Sequence, residues 1–416
     1  MATGIPQKEK NNNTKIPVTL AYEGKKDEKS IIEKDYLRFQ EIANVSGGSK
    51  DNMFFYGDNI DMLLFLLNSG YKGKINLIYI DPPFATSSSF FNRKLEHAYS
   101  DSLSGGMFIE FLRERLVVMK ELLADSGSIY VHLDSKMAFN IKIIMDEIFG
   151  ENNCRAFITR KKCSTKNYTK NTYGNISDYI MFYSKSSNYT WNRPFDPWSY
   201  EKMIQEYPCV DERNGRRFKK VPIHAPGTRN GETGKEWHGM MPPIGKHWQY
   251  TPKKLDELDA AGEIYWSPTG NPRRKVYCDP EKGIPVQDIW VNYRDSVNQA
   301  QKTTGYPTEK NYEMLKMIIN ASSNPNDIVL DCFAGSGTTL GAAYDCGRHW
   351  IGADNSPDSL KSVIKRLTNN MDIYGDYVNN DNYVQCRLDI SEKCPFTIFS
   401  TESDKDYVLS VVTNNE

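Results

Sequence analysis

The chain carries almost no net charge, with 52 Lys and Arg against 53 Asp and Glu, a formal charge of −1 and a pI near 6.6. No global basic excess draws it to a polyanion, so any nucleic-acid-binding face has to come from local clustering of Lys and Arg. Its eight cysteines, at 154, 163, 209, 278, 332, 346, 386 and 394, include no CxxC pair. That scatter matches neither a disulfide framework nor a zinc pattern, so no metal site is expected. Reduced thiols are the preferred reading, and they point to the cytoplasm. No apolar run approaches the ~18 residues that a membrane span needs. The first residues, rich in Lys, Asn and Glu, lack the apolar stretch of a signal peptide. What is present is a globular composition, 39% hydrophobic and 25% charged over 416 residues. At ~100–200 residues per domain, this length suits one large domain plus a second module.

Residues 1–30 are polar and lysine-rich and read as an arm, extended to 1–50 as the first segment. From about residue 51 strand and helix signals alternate. Ile75–Ile80 is a continuous apolar run stopped by Asp81-Pro82-Pro83, the pattern of a buried parallel strand entering a loop. Met107–Leu123 repeats apolar residues at helical spacing, Ile129–Leu133 is strand-like, and Met137–Phe149 is helical up to Gly150. Such alternation predicts a doubly wound α/β sheet. Between about 152 and 300 it fades, and Pro, Gly, Trp, Tyr and Arg become frequent, as in an inserted module. The strand signals Phe157–Thr159 and Tyr179–Tyr183 can still belong to the main sheet. Alternation returns near 307 and runs to about 372, and residues 373–416 are expected to form a peripheral extension.

Two stretches carry chemistry. In the first, a strand ending at Leu330 enters Asp331-Cys332-Phe333-Ala334-Gly335-Ser336-Gly337-Thr338, and a helix follows. Glycines between strand and helix let a backbone approach a ligand closely, and the free N–H groups of a helix start can meet a carboxylate. Asp354 ends the next strand, near the ~20-residue offset at which an acidic side chain meets ribose hydroxyls. A P-loop is excluded, because Thr338 stands where its Lys is required. An ordinary glycine-bearing turn remains the alternative to a nucleotide-type site. The second stretch is Asp81-Pro82-Pro83-Phe84. Two prolines and an Asp can simply end a strand. They also form a trap for a planar base: the Asp81 carboxylate and the Pro82 carbonyl can draw the two protons of an amino group, with Phe84 offering a stacking face.

Taken together and in this order, the motifs resemble the β-class amino-DNA methyltransferases of restriction–modification systems, from roughly Phe54 to Leu367. Tyr56-Gly57-Asp58-Asn59 is similar to the family loop whose acidic residue contacts the cofactor adenine. Asp81 to Phe84 matches the catalytic DPPY/F motif, Ser128–Asp134 a framework strand, and Asp178-Tyr179 a target-pocket motif. Tyr306-Pro307-Thr308-Glu309-Lys310 resembles the motif beside the methionine part of the cofactor, which assigns Thr308 and Lys310 to cofactor binding. Phe333 to Thr338 matches the glycine loop, and Asp354 the ribose ligand. Asn311 replaces a frequent proline, which bears on the start of the local helix.

The resemblance implies S-adenosylmethionine as cofactor, with Asp58, Asp81, Asp331 and the Phe333–Thr338 loop among its contacts. It also implies a Rossmann-like, doubly wound, mostly parallel sheet with an inserted target-recognition domain. The catalytic half is then 51–155, the recognition insert 156–300, and the cofactor half 301–372. The reaction is methylation of the exocyclic amine of a flipped-out adenine in duplex DNA, because Asp rather than Ser opens the catalytic motif. Cytosine N4, RNA and a non-catalytic recognition subunit are the alternatives. A cognate restriction endonuclease and a second copy of the chain are the further candidate partners. Basic clusters at Arg155–Lys170, Arg216–Lys220 and Arg273–Lys275 fit phosphate contacts. Arg160, Lys161, Lys162, Lys166, Arg273 and Arg274 are the residues expected to touch DNA.

Overall fold

The computed structural model describes residues 18–83, 105–164, 171–295, 302–303, 310–368, 372–373 and 393–414. The chain divides into two compact units, Met1–Pro194 with Gln287–Glu416, and Phe195–Val286. Among the described residues no helix is long and apolar enough to cross a membrane.

The larger unit is built on one ten-stranded sheet. Its strands are β1 (Gln40–Val45), β2 (Asn52–Tyr56), β3 (Ile75–Ile80), β4 (Leu123–Leu133), β5 (Cys154–Lys161), β6 (Ser177–Ser184), β7 (Ile289–Trp290), β8 (Ile328–Asp331), β9 (His349–Asp354) and β10 (Phe396–Ser400). They run in the order β1-β10-β2-β9-β8-β3-β4-β6-β5-β7. From β10 to β4 all neighbours are parallel; β1 pairs antiparallel with β10, and β6 antiparallel with both β4 and β5. The central strands read as continuous apolar runs because both faces are covered. Every residue of β2 is buried, as is every residue of β3 but Asn76.

Helices α1 (Asn59–Leu66), α2 (Gly105–Leu122) and α3 (Ala138–Phe149) pack on one another in sequence, and α4 (Tyr312–Ser322), α5 (Thr338–Asp345) and α6 (Pro357–Leu367) form a second group. The α4 start is capped by Asn311, whose side chain accepts from Met314 N at 2.9 Å, so the family's proline is replaced by a competent N-cap. From β3 the chain crosses through α2 to β4 on one side. From β8 it crosses through α5 to β9 on the other. Adjacent strands whose connections leave in opposite directions open a crevice beyond their carboxyl ends.

Three expected boundaries shift. The compact insert, Phe195–Val286, is narrower than 156–300, because β5 and β6 extend the main sheet and β7 returns to pair with β5. Its own core gathers Ile223, Trp237, Trp248, Leu255, Leu258 and Ile264. The N-terminal arm packs on the fold throughout its described part: Lys25 Nζ donates to Glu147 at 2.5 Å, Ile31 and Phe39 are buried, Phe39 packs edge-on to Phe55 at 5.3 Å, and β1 forms the sheet edge. The C-terminal extension is not peripheral, since β10 lies inside the sheet between β1 and β2. Its FTIFS segment has the aromatic and β-branched residues of a strand, and the Asn- and Asp-rich stretch before it masked that signal.

Phe396 is fully buried and packs on Trp350 at 5.5 Å. Phe396→Ala should therefore destabilise the protein by about 3–5 kcal/mol, as core Phe truncations do. Urea unfolding of the two proteins checks this, and a loss below 1 kcal/mol would mean that β10 carries little of the fold.

Candidate active site

Four acidic residues stand at the carboxyl ends of four adjacent parallel strands: Asp58 just after β2, Asp354 ending β9, Asp331 ending β8 and Asp81 after β3. At ~4.8 Å per strand, this row spans ~15 Å. The first two are held by backbone geometry. Asp58 caps α1, accepting from Ile60 N at 2.9 Å, and Arg115 Nη2 lies 3.1 Å from the same oxygen. Gly57, before it, adopts φ 157°, and a Cβ there would stand 2.9 Å from the Phe39 ring. Asp354 accepts from Gly335 N and Ser356 N, both at 2.9 Å. It thereby ties the glycine turn to the end of β9.

The turn itself depends on left-handed backbone at Gly335 and Gly337, with φ of 50° and 74°. A Cβ on Gly337 would come within 3.0 Å of Val363. Ser359 Oγ donates to Gly335 O at 2.6 Å and Arg366 Nε to Ser336 O at 2.8 Å, so α6 clamps the loop from behind. Ser336 and Thr338 share a hydroxyl–hydroxyl bond of 2.8 Å, and Ala334 N donates to Ala353 O at 3.0 Å. Phe333 N donates to Asp331 Oδ1 at 3.0 Å. Asp331 is 2% exposed, and burial, with the Asp81 and Asp354 charges nearby, pushes its carboxyl up to about 7.

Asp81 is anchored through one oxygen. Lys310 Nζ sits 2.8 Å from Oδ2. Burial works against the Lys310 charge, but the Asp81 and Asp295 carboxylates outweigh it and raise its pKa above the ordinary lysine value. The other oxygen, Oδ1, is shielded from solvent and has no hydrogen-bond partner among the described residues. His132 Nδ1 lies 3.9 Å from it. Behind it runs a buried polar chain. Tyr79 OH meets His132 Nδ1 at 2.8 Å, His132 Nε2 lies 2.9 Å from Asp178 Oδ2, and Arg160 Nη1 lies 3.0 Å from that same oxygen. Burial alone would raise the Asp178 carboxyl, but His132 and Arg160 hold it at about 2.

The structure thus brings Asp58, Asp81, Lys310, Asp331, Asp354 and the Phe333–Thr338 turn to one edge of one sheet. Pro82 is buried and Pro83 half-buried beside Asp81. Phe84, Thr308 and Lys166 lie outside the described residues. Arg160 is a correction. Expected to touch DNA, it is fully buried, with Asp178 and Asp295 on its two amino groups and Tyr293 O accepting from Nε at 2.8 Å. Alternation along β5 turns Ile158 and Arg160 inward, so the basic run Arg160-Lys161-Lys162 is split between core and surface. Lys161 and Lys162 remain partly exposed. In the insert Arg273 is exposed, whereas Arg274 is half-buried and bonded to Tyr250 OH at 2.5 Å. The sequence reading missed Asn59, which donates to Cys332 O at 2.8 Å and accepts from Arg115 Nε at 2.6 Å. It also missed Arg115 itself, which stands on an outwardly ordinary helix.

Comparison with known proteins shows the family of the chain. The family model described as DNA methylase, for N6 and N4 methyltransferases, matches residues 75–365. The type II methyltransferase M.EcaI of Enterobacter cloacae is 50% identical over 378 residues, covering 90% of this chain and 83% of that protein. The chain belongs to the N6/N4 DNA methylase family. It is a DNA methyltransferase that uses S-adenosylmethionine and acts on an exocyclic amine. The Mod subunit of the type III restriction-modification enzyme StyLTI of Salmonella typhimurium is 29% identical over 329 residues, covering 70% of this chain but 49% of that protein. Among solved structures, the M1.HpyAVI–SAM complex aligns with a TM-score of 0.41 and 15% identity, covering 76% of this chain and 98% of that one.

The donor set at this edge suits the methylase cofactor. S-adenosylmethionine is a cation overall and presents many hydrogen-bond donors: an ammonium, two ribose hydroxyls and an adenine amine. A row of carboxylates complements all of them.

Asp331 supplies a pH test. Its folded pKa of about 7 lies above the ~3.9 of an unfolded Asp. The native state therefore holds a proton that the unfolded chain has released, and ligand-free stability should fall as pH rises from about 4 to about 7. Asp331→Asn should remove this part of the slope and stabilise the ligand-free protein at pH 7.5, while weakening cofactor binding. Denaturant unfolding across that range, with cofactor titration calorimetry, reads both effects. An unchanged slope would show that Asp331 is not the titrating group.

Proposed function

We propose that this methylase transfers its methyl group to N6 of an adenine extruded from duplex DNA, on a Rossmann-like sheet wound in both directions from the β3–β8 switch point. The observation that carries the reading is the pair of unequal oxygens on Asp81: one pinned by Lys310, the other buried and unpartnered among the described residues. An unsatisfied buried acceptor costs free energy unless a ligand supplies its donor. An N–H of the target amine is that donor. Once Asp81 Oδ1 and the Pro82 carbonyl hold the two amine protons, the nitrogen lone pair is withdrawn from the ring and aimed at an electrophile. When bound, S-adenosylmethionine supplies that electrophile as a sulfonium methyl. Asp81 Oδ1 is also the nearest acceptor for the proton that the methylated nitrogen sheds. Asp331, Asp354, Asp58 and the Phe333–Thr338 turn orient the donor end, and Phe84 stacks on the base. No nucleophilic side chain is needed, and catalysis is mainly orientation and electrostatic positioning.

Adenine is favoured over cytosine because Asp81, rather than Ser, opens the catalytic motif. The Phe195–Val286 unit serves as DNA reader, with its Arg273 meeting phosphate, and Lys161 and Lys162 of the larger unit meet phosphates as well. Such a substrate places the protein with the DNA in the cytoplasm. The restriction–modification setting named for the Salmonella relative supports a cognate endonuclease as partner.

Asp81→Ala should abolish methyl transfer while leaving cofactor affinity within a few-fold. Incubating each protein with labelled cofactor and random-sequence duplex DNA, then digesting the DNA to nucleosides for mass spectrometry, tests both the residue and the base. Methylcytidine without methyladenosine would overturn the adenine assignment. Failure of the wild-type chain to label DNA would overturn the function.

The two lysines and Arg160 should separate cleanly. Lys161→Ala with Lys162→Ala should weaken binding to all DNA sequences and flatten log K against log salt by up to about 2, at ~0.9 per phosphate lost. Arg160→Ala should instead destabilise the fold by about 3–5 kcal/mol, because Asp178 loses a buried partner. Salt-dependent fluorescence anisotropy and thermal melts distinguish these. A fold unaffected by Arg160→Ala would return that residue to the DNA-contacting set.

A further inference from the structure

Within the Phe195–Val286 unit one loop ends in apolar side chains that nothing among the described residues covers. Ile244 is 104% exposed and Met241 62%, and Pro242-Pro243 stand between them. The loop is not loose. Gly227 N donates to Gly245 O at 2.8 Å and closes its base, Lys246 N donates to Pro243 O at 2.9 Å, and Trp237 and Met240 exchange two backbone bonds of 2.9 Å. Below the tip, buried Trp237 stacks on Trp266 at 5.3 Å and donates Nε1–H to Asp256 Oδ1 at 2.8 Å, while Trp248 Nε1 donates to Lys235 O at 2.9 Å. Two prolines then fix φ at the crest. A rigid mount for fully hydrated aliphatic groups contributes nothing to the unit's own core.

The flanks of the tip are cationic. Lys246 follows Ile244 by two residues and is exposed, as is Arg273. Lys246 pairs with Pro226 across the hairpin, and Arg273 pairs with Pro222, two residues before the hairpin strand that starts at His224. An apolar point between cations matches duplex DNA in cross-section, with stacked bases inside and phosphates outside.

We propose that the Met241–Ile244 tip is a wedge that enters bound duplex DNA and unstacks a base step, while Lys246 and Arg273 hold the flanking phosphates. This rests on the reading of the insert as DNA reader. Insertion of Ile, Met or Pro between bases kinks the helix and lowers the further cost of extruding a nucleotide.

The test uses the full chain and a duplex carrying the sequence that mapping of methylated bases identifies, with 2-aminopurine placed at successive positions. Wild-type protein should raise emission several-fold at a step other than the methylated base. The Ile244→Ser, Met241→Ser double variant should lose that rise and at least tenfold in kcat/KM. Its salt dependence of binding should not change, and its melting temperature should stay close to wild type, as for surface substitutions. Lys246→Ala should do the opposite, keeping the emission and lowering the salt slope by about 1. A wild-type emission profile in the double variant would overturn the wedge. So would loss of self-association in that variant with emission unchanged, which would make the tip a contact between copies. Absence of methyl transfer by the wild-type chain would instead overturn the functional reading beneath it.

Discussion

Parallel pairing of β3 with β8 sets Leu77 against Val329 and Ile78 against Leu330, joining segments some 250 residues apart. Asp81 and Asp331 thereby leave the sheet side by side. Neither half has the whole acidic edge without this ladder: one carries Asp81, the other Asp331 and the glycine turn. Lys310 makes the same connection with charge, reaching from the segment before α4 to the residue after β3. Loop closure over such a separation is entropically costly, though the cost grows only logarithmically with length. The apolar burial of β3 and β8 between two helical layers is what offsets it.

The row of acids has a stability cost of its own. Asp331 is buried beside two other carboxylates, and its raised pKa measures how poorly the ligand-free protein solvates a negative charge there. The polar chain Tyr79–His132–Asp178–Arg160–Asp295 shows the contrary arrangement, in which alternating donors and acceptors let charge be buried in pairs. One buried row sets like charges side by side, and the other sets opposite charges in contact.

Much of the larger unit could be read from residue order. Apolar runs ending on Asp81, Asp331 and Asp354, with glycines where a left-handed backbone is required, leave few alternatives for the parallel core. Strand alternation was harder to use: in Arg160-Lys161-Lys162, composition signals a basic patch, and only the pairing of β5 with β6 decides which residue turns inward. His132 and Arg115 looked like ordinary strand and helix residues because their partners, Asp178 and Asp58, are distant in sequence. The insert was legible only as a change in composition, since short strands held by tryptophan packing leave no sustained period. Its exposed Met-Pro-Pro-Ile crest is likewise invisible without knowledge of what packs beneath it.

The placement of β10 bears on the order of events during synthesis. This strand follows every other strand of the ten in the chain, yet it lies between β1 and β2 rather than at an edge. Until it has emerged from the ribosome, β2 lacks one neighbour, and the loop carrying Asp58 rests on an unfinished sheet. The nascent chain therefore holds Asp81 and the glycine turn before it holds the completed sheet that carries Asp58. At ~5–20 residues per second, the sheet is completed roughly 15–65 s after Asp81 has been made, and the incomplete sheet offers an open slot to any strand of suitable pattern meanwhile.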